Sequence, residues 1–133
     1  MAGDYRADTT LVCAVLDRAS ADFVHRDYHP AQMLFEGSCV TGICDWLTAC
    51  RGPHGIDLAR MRLNLAEGWS VEMAEEFRTS YRALFGEERV DPYWDLPDAA
   101  DVLLDLPDRS PAQVLPGHGR FEEWVRQAVV ELG

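Results

Sequence analysis

Between Val24 and Asp45 the chain reads VHRDYHPAQMLFEGSCVTGICD. His25 and Asp27 place an imidazole and a carboxylate one residue apart, and Gln32 follows shortly after. The apolar run Met33-Leu34-Phe35 leads into Glu36-Gly37-Ser38, and Cys39 to Cys44 returns from it, which predicts a β-hairpin. A hairpin sets its two ends side by side. Those ends are Gln32 and Asp45, so two oxygen-bearing side chains should meet, as a divalent cation needs. Zinc is the poorer match, because His25, Asp27 and His29 lack a fourth ligand in sequence reach and Pro30 breaks any helical face that would align them. No Ser-His-Asp or Cys-His arrangement has a supporting motif.

The elements that must position this stretch are mostly helical. Asp8, Thr9 and Thr10 offer caps for a helix over 9–20, where Leu11, Val12, Val15, Leu16 and Ala19 recur at helical spacing. Pro30 lacks an N–H and disfavours helix at His29, so 25–32 should be an ordered loop. Residues 51–55, Arg-Gly-Pro-His-Gly, read as a turn. A largely buried helix follows, with Asp57 near its start and Gly68 at its end. Ser70 should cap the next helix, with Ala74, Phe77, Tyr81 and Leu84 inward, Glu75, Glu76, Arg78 and Arg82 outward, and Gly86 closing it. A short helix is expected over 97–105, a Pro/Gly-rich loop over 106–119, and a final amphipathic helix marked by Phe121, Trp124, Val125, Ala128 and Leu132. The four tryptophans, Trp46, Trp69, Trp94 and Trp124, suit core or pocket walls.

Composition narrows the function classes. Hydrophobic residues make up 47% and charged residues 26%, which argues against disorder, and 133 residues suit one domain. The formal net charge of -11 repels nucleic-acid phosphates and anionic membranes, so neither is an expected partner. All 12 basic residues are arginine, and neither a G-x-G-x-x-G nor a G-x-x-x-x-G-K-[ST] loop is present. Cys13, Cys39, Cys44 and Cys50 form no C-x-x-C pair and should be reduced, buried, small apolar residues. With no secretory signal and no long apolar run, the cytoplasm is the default location.

His25-Arg26-Asp27-Tyr28-His29-Pro30-Ala31-Gln32-Met33-Leu34 resembles the H-G-D-x-H-P-x-N-[VI]-L motif of aminoglycoside phosphotransferase-like kinases. Thr41 to Trp46 resembles that family's G-[VI]-[IV]-D-W, and Gly52 to Ala59 its G-x-P-x-x-D-L-A. The resemblance implies a mainly α (α+β) fold, the helical C-terminal lobe of a kinase-like fold with one β-hairpin. It would form a single domain over 1–133, with 1–20 an N-terminal helix region and 21–133 family-like. It implies Asp27 as the catalytic base, Asp45 and Gln32 as magnesium ligands, and His25 and Asp57 as supports of the loop. Gln32 stands where the family has asparagine, and Arg26 where it has glycine. ATP and Mg2+ are the implied cofactors. The family's sheet-rich N-terminal lobe, with its nucleotide-contacting lysine, is expected to be absent.

Two functions follow. One is ATP-dependent phosphorylation of a small-molecule hydroxyl, with an N-lobe supplied by another chain or an unusual grip on ATP. The other is a non-catalytic C-lobe remnant or binding module. Glu67, Glu72, Glu75 and Glu76 would suit a cationic acceptor or form a solvated face. Loss of an N-lobe should leave apolar surface near Phe23, Val24 and Met33, covered by helix 9–20, by a second copy in a homodimer, or by an N-lobe-supplying partner.

Overall fold

The computed structural model describes residues 21–98, 100 and 118–132. The predicted helix over 9–20 and nearly all of the predicted loop lie outside them. Among the described residues the chain is mostly helical, with two small antiparallel sheets.

Helix α1 (Gly55–Gly68) buries Leu58, Ala59, Met61, Leu63 and Ala66 along one side. Only Trp69 and Ser70 separate it from α2 (Val71–Phe85), so the two helices pack together. The Ser70 hydroxyl accepts the Met73 N–H at 3.2 Å, as a cap should, and Gly86 ends α2 at φ +98. Helix α3 (His118–Leu132) lays Trp124 against this pair, completing a core of Leu63, Ala66, Val71, Ala74 and Trp124. It starts inside the stretch expected to be loop. Helical backbone also runs from Asp95 to Asp98, two residues earlier than the spacing predicts.

Charge is built into this helical layer. Arg62 is 3% exposed in its side chain, pairs with the buried Asp95 and with Glu75 at 2.6 Å, and lies 5.6 Å over the Trp124 ring. Arg78 reaches Glu131 at 2.6 Å and Glu75 at 3.6 Å. Glu75 and Arg78 therefore do not sit on a free outer face, because they tie α2 to α1 and α3. Leu84, by contrast, is exposed although its spacing predicts core.

The hairpin is present as β2 (Met33–Glu36) and β3 (Cys39–Ile43), turned at Gly37 with φ +61. A second pair was not foreseen. Strand β1 (Ala21–Val24) pairs antiparallel with β4 (Cys50–Pro53), in register from Ala21–Pro53 to Val24–Cys50. Residues 51–53 are thus strand and not turn. Their Gly and Pro read locally as a turn, whereas the pairing is made with a segment far away in sequence. A Cβ at Gly52 would come within 3.2 Å of Val24 Cγ2, so glycine suits this contact. The three cysteines among the described residues are free, but Cys39 and Cys50 are exposed and Cys44 half-buried, since short two-stranded sheets leave the first two uncovered. Phe23 and Trp46 are exposed and stacked at 5.6 Å, whereas Val24 is fully buried.

Candidate active site

The loop from His25 to Gln32 links the two sheets. Its backbone turns left-handed at Arg26 (φ +71), and His29 is extended ahead of Pro30, which opens a short 3-10 turn over Pro30–Gln32. The loop is held from two sides. The Asp57 carboxylate, in the first turn of α1, accepts the His25 N–H on Oδ2 and the Arg26 N–H on Oδ1, both at 2.7 Å. The His25 ring, 1% exposed, reaches the Cys44 carbonyl from Nε2 at 2.8 Å and the Asp27 N–H from Nδ1 at 3.3 Å. The tautomer with its hydrogen on Nε2 satisfies both contacts. Trp46 packs against that ring at 4.6 Å, and the Thr48 hydroxyl donates to the His25 carbonyl at 3.1 Å.

The hairpin brings Gln32 and Asp45 together. Cys44 N–H donates to the Gln32 carbonyl at 2.9 Å, which closes the hairpin's open end. Asp45 is left-handed (φ +60), a conformation aspartate tolerates better than most residues, and its side chain faces back to the loop. The Gln32 Nε2 then donates to Asp27 Oδ2 at 3.2 Å and to Asp45 Oδ2 at 3.4 Å. Asp27 Oδ2 also lies 3.5 Å from His29 Nε2. Two carboxylates thus converge on one amide nitrogen. Among the described residues no three His, Cys, Asp or Glu side chains group to hold a metal. The donor set here is two carboxylates and an amide, hard oxygen chemistry of the kind magnesium takes.

Other residues around the loop carry no signal in the sequence. His54 approaches Asp22 Oδ2 with Nδ1 at 3.1 Å and the Arg89 carbonyl with Nε2 at 2.7 Å, and Asp22 also pairs with Arg89. An apolar cleft of about 400 Å³ lies behind the loop, walled by Phe23, Tyr28, Trp46, Leu58, Phe77 and Tyr81. Of the four tryptophans, Trp124 is core, Trp46 is a cleft wall, and Trp69 is more than half exposed.

A family model described as the phosphotransferase enzyme family matches residues 9–93. The chain belongs to this family. No curated protein and no solved structure matches it. The match spans the loop, both sheets, α1 and α2, so the convergence of Asp27, Gln32 and Asp45 lies within the phosphotransferase family region. It also takes in residues 9–20, ahead of β1. No helix among the described residues is long and apolar enough to cross a membrane.

Proposed function

We propose that these residues form the phosphoryl-transfer site of a small-molecule kinase, in the helical C-terminal lobe of a kinase-like fold. The observation that carries this reading is the convergence of Asp27 and Asp45 on Gln32, at the end of a loop that Asp57 clamps by two backbone N–H groups. Asp27 is half-buried, and Gln32 and His29 both approach its Oδ2. It would accept a hydrogen bond from the acceptor hydroxyl. As the new O–P bond forms and the bond from the γ-phosphorus to ADP breaks, the hydroxyl proton passes to Asp27. Positioning supplies much of such catalysis, and the Asp57 clamp is the positioning device. Asp45 would hold magnesium together with Gln32 once the amide turns its oxygen inward, and that ion would offset phosphate charge.

These 133 residues contain no lysine and no glycine-rich phosphate loop. The reading therefore needs those nucleotide contacts from another polypeptide segment, in cis or in a partner. The exposed apolar residues of the hairpin and loop, Phe23, Leu34, Phe35, Val40 and Leu47, suit such a contact or a second copy. ATP chemistry and three free thiols suit the cytoplasm.

One observation favours the second reading, a non-catalytic binding module. The Gln32 amide nitrogen already bridges the two carboxylates, in the place a cation would take. Calorimetry with magnesium-ATP decides between the two. Saturable binding lost in Asp45→Asn, a change that keeps the left-handed backbone at ease, supports the kinase reading. Silence at millimolar nucleotide, in wild type and in Gln32→Asn alike, leaves the binding module.

A further inference from the structure

Arg26 combines three features that do not go together by chance of folding. Its φ of +71 is a left-handed conformation that strains an L side chain. Its guanidinium is exposed and has no ion-pair or hydrogen-bond partner among the described residues. It does so in a chain with 23 acidic and only 12 basic residues, where a partner would be easy to find.

Arg26 lines a second cavity, of about 220 Å³, together with Ile56, Arg60, Trp94, Pro97 and Asp98. Arg60 pairs through Nη2 with Asp98 Oδ1 at 3.1 Å, and its Nε is buried without a hydrogen-bond partner. Among the described residues, two guanidinium groups against one carboxylate make the lining of the cavity positive on a molecule of net charge -11. The Trp94 wall is packed closely against Gly55. A Cβ there would collide with Trp94 Cδ1.

We propose that this cavity binds the carboxylate or phosphate group of a small ligand. Arg26 supplies the planar fork that suits such an oxyanion, Arg60 supplies the Nε–H that no described residue takes, and the Trp94 ring covers the apolar part of the ligand. The site stands on its own geometry and does not require that Asp27 move a proton. Arg26 is nevertheless bonded to Asp27 through one peptide, and its N–H is held by Asp57, so a bound anion sits directly beside the clamped loop.

The test titrates inorganic phosphate and citrate, separately and at low ionic strength, into the full chain, read by tryptophan fluorescence and, for phosphate, by 31P line width. Arg26→Gly is the decisive variant, because glycine adopts this backbone without strain and a loss of binding cannot be laid to misfolding. Saturable binding of either probe is expected, weakened about tenfold or more in Arg26→Gly and in Arg60→Gln, and unchanged in Arg126→Gln on the exposed side of α3. Saturation by one probe alone names its oxyanion as the ligand group. No saturation in wild type, equal binding in Arg26→Gly, or an equal loss in Arg126→Gln overturns the proposal. Asp45→Asn, which lies outside this cavity, separates the two: it should lose magnesium-ATP binding and keep phosphate and citrate binding, so either reading can fail without the other.

Discussion

Asp57 sits 31 residues from Arg26 and 32 from His25, yet its two oxygens hold both backbone N–H groups of the loop at 2.7 Å. Hydrogen bonds to a charged acceptor contribute roughly 1.5–3 kcal/mol each. Asp57→Ala should therefore cost about 2–4 kcal/mol in urea unfolding, and Asp57→Asn about half of that, since the amide keeps one acceptor oxygen. An alanine variant as stable as wild type would remove Asp57 from the clamp. Arg26, one bond away, pulls in the opposite direction. The left-handed cost of roughly 1–2 kcal/mol exceeds the extra chain entropy that glycine loses on folding, roughly 0.4–1 kcal/mol. Arg26→Gly should raise the unfolding free energy by about 0.5–1 kcal/mol. A fall in stability would show that the guanidinium has a stabilising contact in solution. A residue kept at a strained position against such a gain is where function is to be sought.

At the scale of elements, local signals and long-range ones divide cleanly. The hairpin, the Ser70 cap, the Gly86 stop and the final helix are each written in a few adjacent residues, and each is present. Strand β4 is not, because its Gly52 and Pro53 carry turn chemistry and only the β1 backbone makes them a strand. The start of α1 shows the same dependence. Gly55 is the one residue there that admits the Trp94 indole. Gly55→Ala improves helix propensity, yet it must push Trp94 off the helix, and overpacking of this kind costs about 1–3 kcal/mol. The variant should lose that much by chemical denaturation and show altered tryptophan fluorescence. A gain in stability would mean that Trp94 is free to leave.

Across the whole molecule, the buried Arg62 with its partners Asp95 and Glu75 sets how stability follows pH. Burial pushes the Asp95 carboxyl from 3.8 up to about 6, although Arg62 beside it, and Arg78 further off, pull it down. The folded state thus keeps a proton on Asp95 that the unfolded state has lost between about pH 4 and 6. The stability tied to that proton is complete below about pH 4 and disappears as pH rises through about 6, a change on the order of 3 kcal/mol. Urea unfolding from pH 4 to 7 should show wild type losing ground against Asp95→Asn over that window, and parallel curves would rule the buried proton out.

By itself the sequence determined the ordered loop over 25–32, the hairpin whose geometry makes Gln32 and Asp45 neighbours, and the two helices after it. All of these depend on turns, caps and periodicities spanning only a few residues. Tertiary structure alone decided that Asp57 holds the loop through the His25 and Arg26 N–H groups, that Glu75 and Arg78 join helices where their spacing suggested a free face, that Cys39 and Cys50 are exposed, and that Arg26 opens onto a positive cavity. The physical reason is common to these cases: a contact between residues far apart in the chain has no local period, and burial is a property of what packs above a side chain, not of the side chain itself.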